Sequence, residues 1–372
     1  MATIIKAQTP FNVLIKPHPG CQLNCPFCHA EQLRRHGQSI MTAEVSKEVI
    51  RQVIESQPAG FNGTVYFKWQ GGEPTLMGVD FFKLVVQLQQ QIGNSASFKI
   101  GNSLQTNGLL LADNGWLDFL SANAWLLGIS LNGPEDLHDH WRGEGSYQKV
   151  RLAIDKLRQR GIAFDTSTLV TKAAVTRAAE IYNHLTQEIG ARTLKILPFV
   201  NAESPDSLTG DDWGEFLINL FNAWFLNGFS TFNNTTPAVR VNVFNFWEPH
   251  PITECVRSPL CNGSVVIDSL GNIWPCDFRT GDHYRLGNLI TQPLGQILNG
   301  EKLQSYGQSK FDLPDGCLDC QWLEYCWGEC PRTRIVTDLN GKSKSVLCAG
   351  WQRLFNFLRA QGLLQPYHHS NP

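Results

Sequence analysis

The chain has no surplus of either charge: 31 Lys and Arg stand against 33 Asp and Glu in 372 residues, a formal net charge of -2. That excludes the broad basic field needed to hold a nucleic-acid backbone as the main partner. No apolar run reaches the roughly 20 residues of a transmembrane helix. Lys6, Gln8 and Pro10 interrupt the N-terminal "MATIIKAQTPFNVLIKP", so it does not read as a signal peptide. No membrane association is expected, and the cytoplasmic compartment is. There is no internal repeat and no low-complexity tract. The eleven cysteines, an odd number, are expected to bind metal or do chemistry, since cytoplasmic thiols stay reduced.

With 42% hydrophobic residues, 21 Phe and 11 Trp, the chain can build about two or three domains with substantial cores. Short β-rich runs at 11–17, 64–70, 97–105, 125–131, 164–170 and near 194–199 alternate with segments of helical period. In "TAEVSKEVIRQVIESQ", Val45, Val49, Ile50, Val53 and Ile54 share one helical face and Thr42 is placed as N-cap. Similar stripes run through 79–92, 146–159 and 177–188. Six strands are too few for an eight-stranded barrel, so the expected fold is α/β, an open partial (β/α)6 TIM-like barrel. A helical bridge at 211–227 and an irregular stretch at 228–254 lead to a segment with eight cysteines in 94 residues. The expected domains are the barrel, 1–235, and a small cysteine-rich domain ending in a helix, 236–372.

"CQLNCPFC" places Cys21, Cys25 and Cys28 just after the first strand, at the strand end where barrel folds carry their chemistry. Three thiolates satisfy three irons of a cubane iron-sulfur cluster and leave the fourth open to a small molecule. A zinc site with a distant fourth ligand would use the same triplet. After the second strand, "WQGGEPTL" offers Gly71 and Gly72, where backbone can approach a ligand that a side chain would obstruct. Further on, Cys261, nine residues, Gly271, four residues and Cys276 precede Cys317-x2-Cys320-x5-Cys326-x3-Cys330 and Cys348. With Cys255 these make eight cysteines, enough for two fully ligated clusters; a zinc ribbon is the structural alternative.

On these motifs the chain resembles the radical S-adenosylmethionine enzymes that carry a SPASM domain. Through "QGGEPTL", "SLQTNG", "GISLNGPEDLHD", "GSYQKV", "GNIWPCDF", "YRLGNL" and "CLDCQWLEYCWGEC" it is most similar to the anaerobic sulfatase-maturating enzymes. The resemblance implies S-adenosylmethionine and three 4Fe-4S clusters, with Cys21, Cys25 and Cys28 on the site-differentiated one. Cys255, Cys261, Cys276 and Cys330 would hold the first auxiliary cluster, and Cys317, Cys320, Cys326 and Cys348 the second, a pairing the sequence alone does not give. Gly71, Gly72 and Glu73 would bind the cofactor's amino group, Ser130 its ribose and Arg151 its carboxylate. Arg151 could equally be an exposed helical arginine.

The implied reaction oxidises a cysteine or serine of a sulfatase polypeptide to formylglycine. Asp277 would be the catalytic base and Gln70 a contact to the substrate peptide, and a flavodoxin- or ferredoxin-type protein would be the reductant. The structural alternatives are a turn-capping Asp277 and a polar strand end at Gln70. A crosslink in a ribosomally made precursor peptide is the alternative reaction, although the roughly ten residues before strand one leave no room for a precursor-binding domain. From a different class, a multicluster electron carrier or a zinc-stabilised binding protein would also use these cysteines. His29-Ala30 departs from the aromatic pair usual in the family after the third cysteine, which bears on the substrate more than on the radical chemistry. His138 and His140 are assigned a structural role, and "YHHSNP" a frayed tail.

Overall fold

The computed structural model describes residues 12–28, 39–228, 239–247, 255–261 and 264–365. His29, Ala30, the tail from 366 and most of 228–254 therefore lie outside the described residues. All six expected strands form: β1 (Val13–Lys16), β2 (Thr64–Trp69), β3 (Lys99–Thr106), β4 (Leu126–Ser130), β5 (Asp165–Val170) and β6 (Thr193–Pro198). They build the mixed α/β fold with a central multi-stranded sheet, accompanied by the smaller cysteine-rich region. Two compact units divide the chain, one of 1–128, 152–162 and 262–306, the other of 129–151, 163–261 and 307–372.

In the first unit, the order β10-β9-β8-β1-β2-β3 includes three strands that periodicity did not indicate: β8 (Val265–Asp268), β9 (Asn272–Trp274) and β10 (Gly287–Asn288). β1 pairs in parallel with β2 on one side, Ile15 opposite Trp69, and with β8 on the other, Lys16 opposite Asp268. Val13, Ile15, Val265 and Ile267 are buried, as expected of a parallel sheet covered on both faces. Helix α1 (Ala43–Glu55) starts where Thr42 accepts a hydrogen bond from the Val45 amide at 3.2 Å, so the expected N-cap is present. Helix α2 (Val79–Gly93) sets Phe82 edge-on to buried Trp69, 5.6 Å between rings, and the Trp69 indole N–H donates to Asn102 at 3.0 Å. That polar tie satisfies the one hydrogen-bonding group a buried tryptophan brings.

Why a hairpin forms between β8 and β9 is local. Buried Asp268 accepts from the amides of Leu270 and Asn272, both at 2.9 Å, and Gly271 takes φ +79°, a conformation glycine adopts without strain. The spacing from Gly271 to Cys276 therefore sets the end of β9 and the turn after it. There the Arg279 amide donates to the Cys276 carbonyl at 3.2 Å, leaving Asp277 within a tight turn.

In the second unit β5, β6 and the short β7 (Arg240–Val241) pair in parallel. Helix α3 (Ser146–Gln159), which runs on into the first unit, matches the expected bounds. The stripe at 177–188 resolves into α4 (Ala178–Asn183) continued by a π-helical turn, His184–Glu188. The bridge forms α5 (Gly210–Gly228) and packs against α6 (Cys348–Ala360). A Cβ on Gly350 would meet the Gly210 carbonyl oxygen at 2.5 Å and the Gly214 nitrogen at 2.7 Å. Because both obstacles are backbone, Gly350→Val is expected to force the helices apart and destabilise the protein by about 1–3 kcal/mol, read as a lower melting temperature. Among the described residues no helix is long and apolar enough to cross a membrane.

Candidate active site

Three side chains from separate parts of the first unit converge at the C-terminal ends of β1 and β2. Lys16 is the last residue of β1, and Gln70 follows β2, its amide donating to the Ile15 carbonyl at 2.9 Å. The Lys16 ammonium forms an ion pair with Asp277 Oδ1, while Gln70 Nε2 donates to Oδ2 at 3.0 Å. Lys16 is 2% exposed and the Asp277 side chain 17%. A carboxylate held at both oxygens by a cation and an amide has a fixed orientation and one open side, as a proton acceptor for an incoming group requires. The sequence reading thus brought forward Asp277 and Gln70 and missed Lys16. The signal available was a lysine closing the otherwise apolar strand "VLIK".

The Gly-Gly-Glu-Pro turn sits beside this triad. Gly71 has φ +81°, and a Cβ there would overlap the Lys16 stem, 2.3 Å from Cγ. Gly72, φ +51°, would strike the carbonyl oxygens of His18 and Gly20 at 2.3 and 2.6 Å. The glycines thus let the turn close onto the segment leading to Cys21, where the Glu73 amide donates to the Gly20 carbonyl at 2.7 Å. Glu73 is fully buried. Its carboxylate accepts from the Thr75 amide and hydroxyl, from the Thr106 hydroxyl and from the Asn107 amide, all between 2.6 and 2.9 Å. Burial pushes its pKa up while these donors oppose the shift. Glu73 therefore braces the turn against the end of β3.

Asn107 continues the brace to the triplet: its Nδ2 reaches Gln22 Oε1 at 3.1 Å and the Cys21 sulfur at 3.5 Å. Cys21 also accepts from the Leu23 amide at 3.4 Å; burial raises its pKa, and negative charge on Glu73, then on Cys28, adds to the rise. The Cys28 amide closes a turn onto the Cys25 carbonyl at 3.1 Å. N–H donors aimed at a sulfur suit a cluster thiolate. Asn107 lies in the phrase "SLQTNG" but offered no motif of its own.

The second unit carries Ser130 and Arg151. Ser130 ends β4 and is half-buried. Arg151 is half-buried as well rather than an exposed helical arginine, and its positive charge opposes the burial that raises the pKa of Tyr147, whose hydroxyl lies 3.1 Å from His184 Nε2. His138 is buried and its pKa falls to about 3, chiefly through desolvation. Its Nδ1 accepts from the Asn132 amide at 3.4 Å. A neutral ring closing a loop is what a structural role asks of it.

In the same unit Cys317, Cys320, Cys326 and Cys348 line one cavity, walled by Trp322, Trp351 and Phe355. Burial, helped by negative charge on Cys320, Cys348 and Cys317, pushes the Cys326 thiol up to about 12. Burial likewise raises Cys317 and Cys348, so these three thiols resist ionising without a bound cation, and a metal cluster supplies that charge. Among the described residues no three His, Cys, Asp or Glu side chains are gathered for a single metal ion. An iron-sulfur cube puts each thiolate on a different iron and so suits the wider cage. Buried Glu329, on the cavity wall, bonds the hydroxyls of Thr333 and Ser345.

Two family models match: the radical SAM superfamily over residues 15–175 and an iron-sulfur cluster-binding domain, SPASM, over 259–321. The chain is 30% identical over 369 residues to a cysteine-type anaerobic sulfatase-maturating enzyme of Clostridium perfringens, covering 94% of this chain and 96% of that enzyme. It is also 30% identical to a serine-type anaerobic sulfatase-maturating enzyme of Klebsiella pneumoniae, covering 97% and 90%. The solved structure of native anSMEcpe with bound AdoMet and Cp18Cys peptide superposes with a TM-score of 0.83 at 28% identity, covering 95% of this chain and 98% of the other.

Proposed function

Because the chain belongs to the radical S-adenosylmethionine enzymes with a SPASM domain, in the family of the anaerobic sulfatase-maturating enzymes, we propose that it oxidises a cysteine or serine of a sulfatase polypeptide to formylglycine. The observation that carries the reading is the convergence of Asp277 with Lys16 and Gln70. Oxidation at Cβ removes one hydrogen atom from carbon, one proton from the thiol or hydroxyl, and one electron. A serine then yields the aldehyde directly, whereas a cysteine yields a thioaldehyde that water converts to the aldehyde with loss of hydrogen sulfide.

S-adenosylmethionine beside the cluster on Cys21, Cys25 and Cys28 would supply the hydrogen-abstracting radical, its amino group meeting the Gly71–Gly72–Glu73 turn. Asp277 takes the side-chain proton. Lys16 and Gln70 hold its two oxygens, and Gln70 is assigned a contact to the substrate peptide. Ser130 and Arg151 are assigned to the cofactor's ribose and carboxylate. In our reading the barrel is 1–235 and the cluster module 236–372, with three 4Fe-4S clusters in all. Cys255, Cys261, Cys276 and Cys330 would hold one auxiliary cluster and Cys317, Cys320, Cys326 and Cys348 the other, and the pair would supply the acceptor for the electron. A flavodoxin- or ferredoxin-type protein would be the reductant, and the cytoplasm the compartment.

Anaerobic turnover with peptides that differ only in Cys or Ser at the target, read by mass spectrometry, tests this. An aldehyde is the expected product. A crosslinked peptide would instead assign the chain to precursor-peptide maturation.

A further inference from the structure

A buried lysine and a half-buried arginine tie the cysteine-bearing loops of the second unit together. Lys310 follows the helix Glu301–Ser309 and is fully buried. Its ammonium donates to the carbonyl oxygens of Cys255, Val256 and Ser258, the turn that begins with the first C-terminal cysteine. Three carbonyl acceptors on one nitrogen use all three N–H groups of a charged lysine. The Lys310 carbonyl in turn accepts from Arg334 Nη1 at 2.8 Å. The rest of that guanidinium donates to the carbonyls of Trp327, Gly328 and Glu329 at 3.0 to 3.2 Å.

Those three residues lie between Cys326 and Cys330 and all have positive φ, 45°, 65° and 60°. Two of them are not glycine, so the run is strained and needs an external hold; the Arg334 fork provides one. The charged side chains thus brace the loop of Cys255 and the loop between Cys326 and Cys330 through a single contact. Burial lowers the pKa of both cations, and the negative charges that oppose this are on cysteines: Cys261, Cys255 and Cys330 for Lys310, and Cys317, Cys261, Cys330 and Cys326 for Arg334.

We propose that Lys310 and Arg334 are positioning residues for the auxiliary clusters, a pair of positive charges, one buried and one half-buried, shared by both cysteine cages that holds their loops and raises the clusters' reduction potentials. The proposal rests on reading the eight C-terminal cysteines as cluster ligands. A cation beside a thiolate-rich cluster stabilises the reduced, more negative state, and the burial of Lys310 limits screening by solvent. Charge, and not only loop geometry, should therefore set the potential.

The test is redox titration of the anaerobically reconstituted full-length protein followed by electron paramagnetic resonance, with iron and sulfide determined on the same samples. Lys310→Met keeps the stem and removes the charge, Arg334→Gln removes the second charge, and Arg334→Lys keeps charge while losing the fork. Lys310→Met and Arg334→Gln are expected to lower the auxiliary reduced-to-oxidised ratio at the wild-type midpoint at least tenfold, about 59 mV for a one-electron couple. Arg334→Lys should retain the wild-type potential. If the two neutral variants fail to load iron while Arg334→Lys loads at the wild-type potential, charge is needed already for assembly, and the proposal stands. Wild-type potentials in fully loaded neutral variants would overturn it. Wild-type protein that takes up zinc in place of iron would remove the cluster reading itself, and the proposal with it.

Discussion

Asp277→Asn is expected to keep its clusters and its production of deoxyadenosine, yet to lower aldehyde yield by roughly two to four orders of magnitude, the range for removing a positioned general base. The substitution keeps the size of the side chain and an oxygen for the Gln70 amide, so the loss would fall on the proton-accepting step. It also strips buried Lys16 of its counter-ion. Breaking such a pair from one side costs about 3–5 kcal/mol because the remaining charge stays buried. Stability must therefore be read beside activity. The double variant Lys16→Met, Asp277→Asn removes the orphaned charge, and is expected to regain melting temperature without regaining aldehyde. Deoxyadenosine and aldehyde are quantified by chromatography and mass spectrometry from one reaction. Undiminished aldehyde from Asp277→Asn would reject the base assignment.

Cys25→Ala is expected to abolish deoxyadenosine formation altogether while leaving about two-thirds of the iron, since one cluster of three would be lost. Cys25 closes the turn to Cys28 through its carbonyl, and alanine keeps that bond, so the loop survives and only the ligand goes. All eight cysteines assigned to the auxiliary clusters lie after residue 254. Iron analysis with spectroscopy of the reduced protein separates the two populations. Deoxyadenosine at the wild-type rate from Cys25→Ala would mean that the triplet is not the catalytic cluster.

The six strands and the long helices were legible because their signals are local. Apolar alternation marked β2, the Thr42 cap marked the start of α1, and both are where they were expected. β8 was not legible. It is a four-residue strand, Val265–Asp268, whose parallel partner β1 lies some 250 residues earlier, and no periodicity in a cysteine-rich segment announces a pairing of that range. Lys16 escaped for the same reason. A lysine at a strand end reads as a solvated terminus until β8 and the turn after β9 bring Asp277 to it. Gly271, by contrast, was visible as part of a cysteine spacing, and its φ of +79° in the β8–β9 turn gives that spacing a physical cause. Glu73 was expected at the cofactor; in the structure its oxygens are taken up by Thr75, Thr106 and Asn107, a role that requires knowing where β3 ends.

The most direct test of formylglycine formation follows one hydrogen. A sulfatase-type peptide deuterated at Cβ of its target cysteine or serine is incubated anaerobically with the reconstituted enzyme, S-adenosylmethionine and a reductant, and both products are analysed by mass spectrometry. The account predicts one deuterium transferred into deoxyadenosine for each aldehyde formed in the peptide. Deoxyadenosine free of deuterium, or deuterium transfer with a crosslinked peptide and no aldehyde, would contradict it.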